Sequence, residues 1–291
     1  MSSVPYVASI ALIHQGERVK LPIRHRHRTK DVHVVKATRR RSHALGSRKP
    51  RSSATAAKSR KSAAKFEVAA NQNAITAGKS LASAAHEILE DLVVTLQLPP
   101  GSLWSEEALS ERIGIGRTPV REAVKRLEAD YLIRILPRHG IMVAEIDHHE
   151  QLLSVDLRRE LELFISSRAA RRAMGEERNK LVAIATVIDR CTRDGDVLAY
   201  LRNVFEANRC LALAARNPFA TRSIASLHAL SRRFYYRYHA ELNNLAEVGR
   251  LHSARARAVA SGEEEESRRR AMDLVNCVED YTKRIFFLTL G

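Results

Sequence analysis

The sequence predicts a mainly α protein in three parts. A disordered basic tail covers 1–78, a small helical unit closed by a β-hairpin covers 79–147, and an antiparallel all-helical bundle covers 148–291. Three observations carry this reading. First, charge is partitioned along the chain. Residues 1–79 hold 18 Lys/Arg against 3 acids, net +15, whereas 80–150 are net −5 and 151–291 net +6, within a total of +16. Second, helical periodicity begins at Ser80 and runs to the C-terminus, interrupted by two short apolar runs near 132–143. Third, Gly and Pro fall between the periodic stretches rather than inside them, with Gly249 as the exception.

Composition narrows the class. A length of 291 residues fits about two domains. The hydrophobic fraction of 45% is that of a globular chain. No apolar run reaches the ~18 residues of a membrane helix, so no membrane partner is expected. Cys191, Cys210 and Cys277 form no CxxC and are too few for a disulfide scaffold. They read as reduced, buried thiols, consistent with a cytoplasmic protein.

The tail carries Arg24–Arg28, Arg39–Arg41, Ser47–Ser53 and Ser59–Lys65 with little apolar content. Such a segment cannot bury enough surface to offset its ordering entropy, so roughly 14–75 is expected to be disordered. Three readings stay open: a basic arm making non-specific phosphate contacts, a segment without function upstream of a later start, or a targeting peptide. Val7–Ile13 is apolar but short and lacks a preceding basic region, which argues against a secretory signal.

In the second part, Leu81, Ala85, Ile88, Leu89, Leu92 and Leu96 recur at helical spacing, and Pro99-Pro100-Gly101 stops the helix. A short helix is expected over 105–113, with Ser105 as N-cap and Ala108, Leu109 and Arg112-Ile113 on its inward face. Gly114-Ile-Gly116 makes a tight turn. A third helix is expected to open at Thr118-Pro119, with Thr118 as N-cap and Pro119 at the first helical position. Val120, Ala123, Val124 and Leu127 line one face, and Thr118, Arg121 and Lys125 another; Glu122 and Arg126 form an i,i+4 pair. Leu132–Ile135 and Gly140–Val143 read as two strands joined by the loop 136–140.

This order is a winged helix-turn-helix, whose third helix is free to enter a major groove about 12 Å wide, N-terminus first. Taken alone, Arg121 and Lys125 read as solvated surface. Together with the turn, the leading residues Arg117 and Thr118 and the wing tip Arg138-His139-Gly140, they read as a DNA-contacting set.

After residue 147 the expected helices cover 149–174, 177–193, 196–215, 218–243, 245–261 and 263–288, with Gly249 tolerated or marking a bend. Asp196 and Glu263 suit helix starts. Glu263–Glu266 reads as a charged first turn facing Arg268–Arg270. Arg232–His239, the aromatic cluster, walls a cavity or a dimer face. Six antiparallel helices form a bundle.

Gly116-Arg-Thr-Pro-Val-Arg-Glu-Ala-Val-Lys-Arg-Leu-Glu128, with Leu98–Leu103 and Ala108–Gly114 before it, resembles the recognition-helix signature of the GntR family of bacterial transcription regulators. The resemblance implies that Arg117 and Arg121 contact DNA, that Thr118 caps the helix or contacts phosphate, and that Gly140 lies near the minor groove. Gly116 departs from the usual Ser or Thr, and Glu107 stands where many members carry a phosphate-binding Arg. Leu157–Glu162, Ala214–Pro218 and His252 followed by Ala260–Glu263 resemble the FCD-type effector domain of the FadR subfamily. That implies a central cavity for a small organic acid, and a homodimer.

Members of this class often hold a metal through an Asp and three His. Here those positions fall on Val204, Asn208, His252 and, on or near it, Leu274, so the metal is expected to be absent, with no other cofactor. Arg158 matches a cavity-facing arginine that either grips a ligand carboxylate or pairs with Glu162 one turn on; Asn208 and His252 are further effector-contact candidates. The expected function is a ligand-responsive regulator, a repressor by the family's commoner habit, that binds a pseudo-palindromic double-stranded operator as a dimer. The alternative is a ligand-independent architectural DNA-binding protein using the basic tail. An enzyme is not expected. No Gly-rich phosphate loop, HExxH or nucleophile–base set is present, and the helical part is too short for an aminotransferase-like domain.

Overall fold

The computed structural model describes residues 80–290. The expected basic tail, 1–78, lies outside the described residues. Helix α1 (Leu81–Val94) opens at Ser80, whose Oγ accepts from the Ser83 N–H at 3.2 Å. Ala82, Ala85, Leu89 and Val93 are buried. Two of the expected inward positions behave otherwise. Leu81, in the first turn, is exposed, and Leu96 lies past the helix end in the left-handed region (φ 56°). Leu98 is the buried anchor of the loop instead, its N–H donating to the Leu92 carbonyl at 3.0 Å.

A two-residue strand β1 (Leu103–Trp104) precedes α2 (Glu106–Ile113). Ser105 caps α2 by accepting from Ala108 N–H at 3.0 Å, and Gly114 ends it at φ 67°, a conformation that favours glycine. Helix α3 (Arg117–Ala129) opens two residues earlier than the sequence suggests. Gly116, not Thr118, is the N-cap. The Gly116 carbonyl accepts from Val120 N–H at 3.2 Å, which puts Thr118 and Pro119 inside the first turn. Pro119 is still harmless there, because first-turn N–H groups have no partner within the helix. The expected Glu122–Arg126 pair gives way to a longer-range contact, Arg126 Nη1 to Ser83 Oγ at 3.4 Å.

Strands β2 (Ile133–Leu136) and β3 (Gly140–Val143) form the wing hairpin, with Ile133 opposite Val143 and Leu136 opposite Gly140. β1 pairs antiparallel with the other edge of β3, giving the order β1-β3-β2. Two residues carry no readable alternation, which is why β1 is invisible in the sequence. Gly140 is fixed by this pairing. It has φ 98°, and a Cβ there would stand 2.7 Å from the Trp104 carbonyl oxygen.

The remaining helices are α4 (His148–Arg172), α5 (Gly175–Asp194), α6 (Val197–Ala214), α7 (Pro218–Leu242), α8 (Leu245–Ser261) and α9 (Glu264–Leu290). Their starts are local decisions. Asp147, Asp196 and Asn217 accept from the N–H groups of Glu150, Ala199 and Ala220 at 2.9, 2.9 and 3.1 Å. Gly249 marks close packing: a Cβ would lie 2.2 Å from Thr192 Cγ2, so α8 sits directly against α5. The acidic turn behaves as expected, with Glu266 pairing Arg269 at 2.6 Å and Arg270 at 2.7 Å.

Leu89, Val93, Leu109, Val120, Leu127 and Ile141 form the winged core, which also takes in Ala229 from α7. The bundle core has two clusters, one around Ile188, Phe234 and Leu274, the other around Leu181, Leu211 and Val259.

Candidate DNA-reading face and bundle cavity

Burial of Val120, Ala123, Val124 and Leu127 turns the opposite face of α3 outward. Arg117, Thr118, Arg121 and Lys125 are all exposed on it, as are Arg138 and His139 at the wing tip; Gly140 is half-buried beneath them. Thus the expected side chains are exposed on two elements of the winged unit, α3 and the β2–β3 turn. Gly140 is there for the backbone and not for a side chain. Gly116 is different. An added Cβ meets nothing within 4 Å, so packing does not demand glycine, and α3 starts with no side-chain cap.

Arg117 and Arg121 of α3 are held by acids of α2. Arg121 makes a two-pronged contact with Glu106, Nη2 to Oε2 at 2.8 Å and Nε to Oε1 at 3.0 Å. That hydrogen bond holds the Glu106 carboxyl below its usual range. Arg117 pairs with Glu107. Glu107, noted above as a departure, thus faces the recognition arginine.

The bundle encloses a small cavity. Val204, Asn208, His252 and Leu274, the four positions where a metal would be held in similar proteins, all line it, together with Arg158. These residues do not fit a divalent ion. Val204 and Leu274 offer no donor, and the Asn208 Oδ1 already accepts from Arg255 Nη2. Among the described residues no group of three or more His, Cys, Asp or Glu could hold a metal.

A buried charge cluster adjoins the cavity. Glu162 on α4 accepts from Arg158 Nε at 3.1 Å, from Arg255 and from His228 Nε2 at 2.9 Å. So Arg158 makes the structural pair with Glu162 while also facing the cavity. Burial pushes the Glu162 carboxyl up, but Arg255 and its other partners hold it well below its usual range. Burial lowers the His228 pKa to about 4, and burial with Arg255 and Arg158 holds His252 well below its usual value. Both imidazoles are therefore neutral near pH 7. The cluster then carries two guanidinium charges against one carboxylate. His252 Nδ1 and Tyr235 Oη are buried without a hydrogen-bond partner, and both residues line the cavity. The space for water centres is about 20 Å³, room for roughly one water.

Arg255, His228 and Tyr235 were not singled out from the sequence. Arg255 follows His252 by three positions, which puts both on one face of α8. His228 and Tyr235, seven apart on α7, share a face in the same way. Those spacings were readable, but nothing local says that the two faces meet. Tyr235 does belong to the aromatic segment expected to wall a cavity.

A winged unit with exposed basic side chains on its third helix is thus joined to a helical bundle around a polar cavity, the architecture of helix-turn-helix regulators that carry a second domain. Comparison with known proteins gives the family. Residues 81–143 match the family "bacterial regulatory proteins, gntR family", and residues 153–276 match the FCD domain, together nearly two thirds of the chain. The chain belongs to the GntR family of bacterial regulatory proteins and carries an FCD domain.

Among curated relatives it is 39% identical over 64 residues to an uncharacterized HTH-type transcriptional regulator of Agrobacterium vitis, covering 22% of this chain and 37% of that protein. It is 33% identical over 85 residues to the HTH-type transcriptional repressor RspR of Escherichia coli K12, covering 29% and 37%. The chain therefore spans only about a third of these relatives' length. The solved structure of E. coli McbR/YncC is similar at TM-score 0.62 and 18% identity, over 71% of this chain and 99% of that one, which speaks for the fold alone. The family and the named relatives are transcription regulators, not enzymes. No helix among the described residues is long and apolar enough to cross a membrane.

Proposed function

We propose that this protein is a cytoplasmic repressor that binds a pseudo-palindromic operator as a homodimer and is released by a small carboxylate held in the bundle cavity. Arg117, Thr118, Arg121 and Lys125 enter the major groove, and Arg138, His139 and Gly140 place the wing on the flanking backbone. The dimer is supported by Leu153, Leu157 and Phe164, exposed apolar side chains on one face of α4. Repression is supported by the similarity to RspR.

The observation that carries the effector class is the charge imbalance beside the cavity, where Arg158 of the lining meets Glu162 and Arg255 behind it. Arg158 and Arg255 face a single Glu162, and uncompensated charge in a buried site is costly. A carboxylate would balance it, with His252 Nδ1 and Tyr235 Oη able to accept or donate to its remaining polar atoms. Arg255, bonded to the lining residue Asn208, places positive charge beside the site, so the reading includes no resident metal and no other cofactor. Room for about one water means that a larger acid must widen the site, and that is how binding would reach the rest of the fold.

A thermal-shift screen of organic acids tests this, followed by fluorescence anisotropy with the promoter fragment upstream of the gene. Hits are expected to stabilise the protein and release the fragment. Equal affinity for unrelated duplexes, unmoved by any acid, would instead identify an architectural DNA-binding protein.

A further inference from the structure

One stretch of α7 touches both the cavity and the winged unit. Ala229 is part of the winged core, and Leu230 packs against it. Ser231 Oγ accepts from Gln151 Nε2 at 3.3 Å. Arg232 donates to Glu90 on α1, and Arg233 donates to the Ala144 carbonyl just after the wing. Ser231, Arg232 and Tyr235 meanwhile line the bundle cavity.

Arg232 also borders a second pocket, at the seam between α1 and the bundle. Its guanidinium lies 4.7 Å from the Phe205 ring centre, and its Nε is buried without a hydrogen-bond partner. The seam is rich in acid: Glu87, Glu90, Asp91 and Glu206 line it, with Arg202 and Arg232 as the lining cations. Arg209 reaches Glu87 at 3.6 Å and Glu206 at 3.3 Å.

We infer that Arg232 is the residue through which the winged unit senses the cavity. An anion in the cavity and Glu90 compete for one guanidinium. Drawing Arg232 toward the cavity leaves Glu90 with only the His86 ring, 3.8 Å away, on a crowded acidic seam, and like-charge repulsion then loosens α1 from α7. The spacing of the two recognition helices in a dimer depends on how each winged unit is held, so loosening lowers operator affinity. Reciprocity follows, since operator and anion must weaken each other by one and the same factor. This rests on reading the cavity as the effector site, and the test separates the two.

Acetate and pyruvate serve as probes, with binding followed by calorimetry and operator affinity by anisotropy on the promoter fragment. In the wild type, a probe is expected to weaken operator binding within the usual range of roughly 5–150-fold. Glu90→Gln lies outside the cavity. It is expected to bind the probe several-fold tighter, while the ratio of operator Kd with and without probe falls to about one. Arg232→Gln is expected to lose the ratio and to bind the probe more weakly.

Hydrogen exchange without any ligand is expected to show faster exchange of the α1 amides in both variants. Glu90→Gln with wild-type coupling overturns the relay while leaving the cavity reading standing. A wild type that binds neither probe overturns the cavity reading, and unchanged α1 exchange in both variants then removes the tie itself.

Discussion

The chain uses Arg–Glu pairs in two settings, and the difference shows what each is for. On the winged unit, the side chains of Arg117 and Arg121 are 62% and 61% exposed, paired with Glu107 and Glu106. In the bundle, Arg158, Arg255 and Glu162 are 3%, 1% and 1% exposed. The chemistry is the same and the surroundings are opposite. Exposed pairs contribute about 0–1 kcal/mol, because water screens them and long side chains lose entropy in forming them. They can be exchanged for phosphate or base contacts at little cost. Buried pairs are the reverse: breaking one leaves a charge that water cannot reach. The first set can change partners at little cost, and the second holds unless another anion takes the place of the carboxylate.

The largest test of that contrast is Glu162→Ala. It leaves two guanidiniums buried without their carboxylate, and the expected loss is about 3–5 kcal/mol of unfolding free energy by urea titration. A loss below about 1 kcal/mol would mean the cluster is effectively hydrated and the contrast wrong.

His228 gives the next effect. Its folded pKa is lowered to about 4, against an ordinary 6.5, so between those values the unfolded chain binds a proton that the folded chain refuses. Its contribution is whole above pH 6.5, declines as the pH falls toward 4, and amounts to at most roughly 3 kcal/mol. Urea midpoints across that window are expected to fall for the wild type and to fall less for His228→Gln. Identical profiles would place a water-accessible imidazole there.

Arg121→Ala comes third. Operator affinity is expected to drop by about 1–3 kcal/mol if this arginine reads a base, with the urea midpoint moving little because its pair is exposed. Unchanged operator affinity would remove Arg121 from the recognition set. The smallest effect is Glu107→Gln, which frees Arg117 of its partner. It is expected to raise operator affinity by no more than about 1 kcal/mol and to steepen the salt dependence. Weaker binding would show that Glu107 positions Arg117 for DNA.

Much of the fold was legible because its determinants are local. Ser80, Ser105, Asp196 and Asn217 mark helix starts through hydrogen bonds spanning three residues or fewer, and Gly114, Gly195 and Gly262 mark ends through their own backbone. The misplaced start of α3 is instructive. Thr118-Pro119 is a good local opening, yet Gly116 with its extended dihedrals and its bond from Val120 opens the helix first. Gly249, read from the sequence as tolerated or as a bend, is a contact point, since its neighbour Thr192 on α5 explains it.

By itself, then, the sequence determined the helices, their inward faces, the wing and the exposed arginines of α3, because periodicity and capping act over a few residues. It also settled that two of the four expected metal positions carry no donor, since Val204 and Leu274 can be read directly. Tertiary structure alone decided what surrounds those positions. Glu162 on α4, Asn208 on α6, His228 on α7 and Arg255 on α8 become one cluster only when four inward faces meet. Likewise, β1 exists only because β3 offers it an edge, and Arg232 reaches Glu90 only because α7 lies against α1. Local patterns specify which side of an element avoids water, but partnership between sides is set by packing, which no window along the chain contains.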